Sequence, residues 1–506
     1  MKPLLSFVLL FTVLATAHAE VELAPIFRDH AVLQRDKPLP VWGTAAPGED
    51  ITVTFKGASA KTKADQQGRW KVELAPLPAS KEPADLVVTG KNVFTVKDVL
   101  VGEVWFCSGQ SNMAFHVAKT ENAGEEIRTA NFPLIRAYSV PRKVSETPVA
   151  ESAGEWRSAS PDTVNTFSAV AFYFGRDLYR RLDVPIGLIT SSWGGTFIES
   201  WMSPESLASI PLGKTVAERW KEALANYPEL KAKYDVELVQ WEAAEAAAKK
   251  SGKKFTKRQP WKPSARGSED TPSGLYHAMV HPFLPYAIRG VLWYQGESNV
   301  SRAGEYAELM TAWIKGWRSA FAQGDIPFYW VQLPKYGFAQ KNDWARLREA
   351  QSKVLSLPAT GQVVTVDLPL DDPKNKHPMD KQTVCKRLAL LAAAQLYGAK
   401  EEFSGPRFEK MERKGEALRI SFQHAEGLTA RMTPLTGFEI AGADQKFHVA
   451  DARVEGSQVV VSSPSVPAPV AVRYAYNNYP EIGLFNGAGL PAEPFRTDDW
   501  SLENPQ

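Results

Sequence analysis

At 506 residues and a formal net charge of +2, the chain is too long for one hydrophobic core and too evenly charged to suit nucleic acid as its main partner. Its two cysteines, Cys107 and Cys385, exclude a disulfide framework and a cysteine-type zinc site; two buried free thiols are expected, with a single disulfide as the alternative. The 15 Trp, 15 Tyr and 24 Phe suit a large core, and equally a sugar-stacking surface.

Residues 1–19, MKPLLSFVLLFTVLATAHA, combine a basic start, a short apolar run and an Ala17-His18-Ala19 ending. This is the pattern of a secretory leader, with cleavage after Ala19 and export to periplasm, cell surface or medium. The apolar run falls short of the about 20 residues that span a bilayer, and no later segment reaches that length. From 20 to 100, short runs such as LPVWGTA, DITVTFK, GRWKVELAP and ADLVVTG alternate with turn-rich stretches, as in a β-sandwich. From 101 to 400, buried-strand runs (VGEVWFC, VPIGLITSS, IRGVLWYQG, IPFYWVQL, GQVVTVDL) alternate with helical segments such as AVAFYFGRDLYRRL and KQTVCKRLALLAAAQLYG. That alternation predicts an α/β unit with a parallel sheet whose site lies at the carboxyl ends of its strands. A charged helical insertion interrupts it at about 205–270, and its Lys249–Lys254 run reads as a solvated face. From 401 to 506, strands return as a second β-sandwich.

Three polar clusters sit at predicted strand ends. CSGQSNM holds Ser111, which by itself reads as a helix N-cap or as a nucleophile at a strand-to-helix turn. It is not the G-x-S-x-G elbow, because Met113 replaces the second glycine. SSWGGT brings Gly194 and Gly195, whose uncovered backbone N–H groups suit an oxyanion, and YQGESN brings Gln295, Glu297 and Asn299. Gln295 is a candidate third donor, and Glu297 a candidate to orient a base. Among the histidines, His377 occupies a polar loop after a late strand and is the best-placed base for Ser111. His277 and His281 have i, i+4 spacing, but position 278 is Ala rather than the Glu of H-E-x-x-H, so no metal is expected and His277 is assigned to the substrate pocket. Trp193, Trp201, Trp293 and Tyr294 are candidate sugar platforms, each as readily core, and Asn299 joins Trp193 and His277 as a candidate substrate contact.

With these residues in view, FRDHAVLQRDKPLPVWGTAAPGE, DVLVGEVWFCSGQSNM, IRGVLWYQGESN and GFEIAGADQKFHVADA resemble the sialate O-acetylesterase family of the SGNH-hydrolase superfamily. The resemblance runs along the whole chain from residue 20, save the insertion. It implies an SGNH-type, flavodoxin-like parallel-sheet hydrolase core flanked by N- and C-terminal β-sandwich domains. It implies Ser111 as nucleophile, His377 as base, and an oxyanion hole from Ser111, a glycine of Gly194-Gly195, and Gln295. The implied substrate is an acetylated carbohydrate, with no cofactor.

One departure matters. Where the family reads D-I-H-P, this chain reads Asn375-Lys376-His377-Pro378. Asn375 cannot stabilise an imidazolium by charge, so the expected orienting acid is Glu297 or Asp372, ahead of an unassisted Ser–His dyad. The competing functions are an acetyl xylan or plant-polysaccharide esterase, and a non-catalytic carbohydrate-binding protein on a degenerate esterase scaffold.

Overall fold

A computed structural model describes residues 20–257, 259–338 and 343–501, so the leader at 1–19 lies outside the described residues. The organising element is one 17-residue strand, Val93–Gly109. Of its first six residues only Val96 is buried, whereas every residue from Val99 to Gly109 is buried. The change has a physical cause. The first half pairs antiparallel with strand Ser80–Thr89 among the N-terminal strands. The second half lies between parallel neighbours Ile186–Ser192 and Gly290–Tyr294, where both faces of the sheet are covered. The expected domain boundary at residue 100 thus falls inside a continuous strand, and the N-terminal strands share a hydrophobic cluster with the central unit, from Val21 and Val53 to Trp317.

Outward from that strand, the parallel sheet adds Ile186–Ser192 on one side, and Gly290–Tyr294, Phe328–Val331 and Thr360–Val363 on the other. In chain order this is 2-1-3-4-5, the flavodoxin-like winding. Strand Phe132–Ser139 extends it in parallel beyond Ile186–Ser192, and Trp156–Ala159 closes that edge antiparallel. Alternate side chains of the first strand enter opposite cores. Val104 and Phe106 belong to one core, where Phe106 meets Trp317 and Phe321 of helix Ala303–Phe321, while Trp105 and Cys107 belong to the other, with residues of Ala169–Leu182 and Lys381–Leu396. Because successive connections from the first strand leave in opposite directions, a crevice opens beyond its carboxyl end, where Ser111 follows.

The insertion is a 39-residue helix, Leu212–Lys250, with Val216 as its buried residue. The C-terminal strands, among them Ala417–Gln423, Phe438–Ala441 and Gln458–Ser462, close over a separate core containing Leu418, Ile420, Val459 and Tyr474. Cys107 and Cys385 are both buried free thiols, and the alternative disulfide is not formed. No helix among the described residues is long and apolar enough to cross a membrane.

Candidate active site

Gly109 ends the first strand at φ +140°, where a Cβ would lie 2.3 Å from the Tyr294 carbonyl oxygen, so a side chain has no room at this sheet edge. The chain then turns over residues 111–114, with the Ala114 N–H donating to the Gln110 carbonyl at 2.9 Å. No α-helix starts here, contrary to the sequence expectation; a short 3-10 turn, Val117–Lys119, follows, and Ser111 is not a helix cap. Ser111 projects from the turn, and its Oγ lies 2.8 Å from His377 Nε2.

His377 comes from the loop that precedes helix Lys381–Leu396, whose start is capped by Asp380 Oδ1 accepting from the Thr383 N–H at 2.9 Å. The Phe115 ring lies along the imidazole, with centroids 6.2 Å apart and planes 24° apart. Asn375 Oδ1 accepts from the His377 backbone N–H at 2.9 Å, so its side-chain oxygen serves the loop backbone. Burial first, and then the charges of Lys381, Lys376 and Lys119, pull His377 down from 6.5 to about 4.

Neither expected acid reaches the imidazole. Asp372 is exposed, and its Oδ1 accepts from the Lys374 N–H at 2.8 Å in a local turn. Glu297 is buried and engages Asn112, with Asn112 Nδ2 donating to Glu297 Oε1 at 2.6 Å. Among the described residues, no carboxylate hydrogen-bonds the His377 ring. Burial raises the Glu297 carboxyl above its ordinary value, against the opposing pull of Lys376, its own backbone N–H, Asn112 and Lys381.

The set of candidate oxyanion donors expected from the sequence is also revised. Gly194 abuts the serine: a Cβ there would sit 3.2 Å from Ser111 Cβ, and Gly195 follows at φ +86°. Among the described residues, the N–H groups of Ser111, Gly194 and Gly195 have no protein acceptor. Gln295 does not join them. Its amide nitrogen donates to the Thr196 carbonyl at 3.0 Å and to Asn299 Oδ1 at 2.8 Å, so both hydrogens are spent inside the core. Asn299 is equally occupied: Oδ1 also accepts from the Ile198 N–H at 3.1 Å, and Nδ2 donates to Glu199 Oε2 at 2.8 Å. Both side chains brace the glycine-rich loop from beneath and are closed to substrate.

His277 is likewise displaced from its expected role. It is buried, its Nδ1 meets the Ser145 carbonyl at 3.1 Å, and it lines a groove with Ser203, Glu205 and His281 that Ser111 does not border. His281 Nδ1 meets the Val149 carbonyl at 3.0 Å. Among the described residues, no group of three or more His, Cys, Asp or Glu is arranged to hold a metal. Trp201, Trp293 and Tyr294 are fully buried core. Trp193 is half-buried beside Gly194, with the Arg142 guanidinium 5.9 Å from its ring centroid.

A serine oxygen in contact with a neutral imidazole, beside unoccupied backbone donors at a sheet's carboxyl edge, is the arrangement of a carboxylic ester hydrolase. The comparisons agree. Residues 247–392 match the family model described as carbohydrate esterase, sialic acid-specific acetylesterase. The sialate O-acetylesterase of Rattus norvegicus is 31% identical over 92% of this chain and 92% of its own length. That of Homo sapiens is 29% identical over 93% and 91% respectively. A crystal structure of a carbohydrate acetylesterase from Xanthomonas citri superposes with a TM-score of 0.80 at 36% identity, covering 95% of this chain and 100% of that one. The chain belongs to the sialate O-acetylesterase family and is a carbohydrate-deacetylating ester hydrolase.

Sequence reasoning overlooked Asn112, Lys381 and Arg142. Asn112 adjoins the serine in the quoted motif, and Lys381 follows His377 by four residues; adjacency was the available signal for both.

Proposed function

We propose that the chain removes O-acetyl groups from carbohydrates through a covalent acetyl-serine, with Ser111 as nucleophile and His377 as its base. The observation that carries this reading is the 2.8 Å contact between Ser111 Oγ and His377 Nε2. Ser111 Oγ attacks the acetyl carbonyl carbon while its proton passes to His377 Nε2. The N–H groups of Ser111, Gly194 and Gly195 receive the oxyanion. As the tetrahedral intermediate collapses, the bond from carbonyl carbon to sugar oxygen breaks, and His377 returns the proton to that oxygen. Water then attacks the acetyl-serine, giving its proton to His377; the serine–acyl bond breaks, Ser111 regains the proton, and acetate leaves. In this reading the site runs as a Ser–His dyad.

The proposed substrate is an O-acetylated sialic acid or another carboxylate-bearing sugar. A groove of about 750 Å³ that starts at Ala114, the last residue of the serine turn, supports this choice; Ser192, His116, Arg142 and Arg157 also line it, while Ser111 lies outside its lining. Arg157 pairs with Glu155, whereas Arg142 has no carboxylate partner among the described residues. A neutral acetylated plant polysaccharide leaves that cation unmatched. We also propose export by the leader at 1–19, and β-sandwich domains at either end, the C-terminal one having its own core. The test is acetate release from acetylated sialoglycans and acetylated xylan by wild type and S111A. Release from the sialoglycans that S111A abolishes supports the proposal; equal release by S111A overturns it.

A further inference from the structure

Three buried polar groups beside the dyad take no part in the chemistry above: Asn112, Glu297 and Lys381. They form one chain. Asn112 Nδ2 donates to Glu297 Oε1 at 2.6 Å and to the Lys376 carbonyl at 3.0 Å, and its Oδ1 accepts from Lys381 Nζ at 2.6 Å. Every hydrogen-bonding site that fixes the amide's orientation is therefore used, and a flipped amide would set its nitrogen against the lysine. The arrangement joins the residue after the nucleophile to the residue before the base. It also reaches the imidazole from behind. Lys381 Nζ lies 4.8 Å from the Phe115 ring centroid and 5.3 Å from that of Tyr294, and Phe115 is the ring stacked along His377.

Such a network is costly to bury without purpose. Lys381 has no exposed surface, and Glu297 Oε2 is buried without a hydrogen-bond partner among the described residues. An apolar filling would satisfy packing without either charge. What the polar version adds is a fixed register between two loops from distant parts of the chain, at positions 111–112 and 376–377. That is the task a carboxylate on the imidazole performs in a triad.

We propose that Asn112 is a positioning residue, held between Lys381 and Glu297, that keeps the His377 loop in register with Ser111 in place of an acid on the imidazole. The inference rests on the Ser111–His377 reading. It has an electrostatic corollary. The charged groups acting on His377 are Lys381, Lys376 and Lys119, all of which favour the neutral ring. Lys381 itself faces Cys385, Glu297 and Asp380, and burial brings it down to about 7, so it is protonated at the pH where His377 titrates. Removing its charge is expected to raise the histidine, although burial, the larger cause of its depression, remains.

The test uses the full-length protein with 4-nitrophenyl acetate, following kcat, KM and the pH profile beside the thermal midpoint. N112A is expected to lower kcat by about 10²-fold while KM changes by less than about threefold, as for a misplaced reacting group. K381M is expected to move the acid limb of kcat/KM to higher pH, which a purely structural plug would not do. E297Q keeps the Oε1 acceptor and is expected to recover at least about tenfold of the kcat that E297A loses. An N112A enzyme with wild-type kcat overturns the proposal; if N112A fails to fold, the E297Q and E297A pair decides, equal kcat in the two overturning it, and a K381M enzyme with an unmoved acid limb overturns the electrostatic corollary. An active S111A would remove the Ser111 reading itself, whereas an inactive S111A beside a fully active N112A overturns the latch alone.

Discussion

Asn112 Nδ2 lies 3.0 Å from the Lys376 carbonyl oxygen, so the residue after the serine holds the residue before the histidine. That tether and the Phe115 ring, whose centroid is 6.2 Å from that of the imidazole, flank the 2.8 Å contact between Ser111 Oγ and His377 Nε2. The imidazole is aligned by its loop.

A loop-held, carboxylate-free imidazole has an unusual acid limb. Burial and three lysines depress His377 from 6.5 to about 4. With the neutral ring as the proposed base, activity should persist as pH falls and be lost only on passing through the folded value. The acid limb of kcat/KM should centre near pH 4; a midpoint at 6 or above would contradict the assignment.

Asp372 is exposed and serves its own turn. D372N keeps an oxygen for that turn, and its kcat should stay within about threefold of wild type, against the ~10⁴ loss on removing a triad acid in a serine protease. A loss of about 10²-fold or more would return Asp372 to the relay.

Gly194 touches the serine. A methyl group there would lie 3.2 Å from Ser111 Cβ and push apart the two turns that carry the proposed oxyanion donors. G194A should lose about 10²-fold in kcat with its thermal midpoint little changed, in the range seen when an oxyanion donor is removed. Full activity in G194A would place the oxyanion elsewhere.

Arg142 should discriminate by substrate charge. Wild type is expected to prefer an acetylated sialic acid over its methyl ester by about tenfold in kcat/KM, and R142A to reduce that ratio to about one. An unchanged ratio would detach the groove from the sugar's carboxylate.

What the sequence made legible was whatever depends on local pattern. The alternation of buried runs and helices fixed the parallel sheet, and polar clusters at strand ends brought Ser111 and Gly194 together. Gln295 and Asn299 misled because a strand-end amide reads the same whether it points up into the crevice or down into the core; here both point down and bind Thr196 and Glu199. Glu297 was read as an acid on proximity, and one intervening amide, Asn112, changed its role. That amide bridges positions 185 residues apart, a relation no local pattern encodes.

A fluorophosphonate interrogates the Ser111–His377 pair itself, because it phosphonylates a serine only where a base and an oxyanion site are assembled around it. Esterase activity should fall in step with labelling, and peptide mass spectrometry should find the label on Ser111 and find none in H377A. Inactivation with the label on another residue, or full activity after Ser111 is labelled, would contradict Ser111 as the nucleophile.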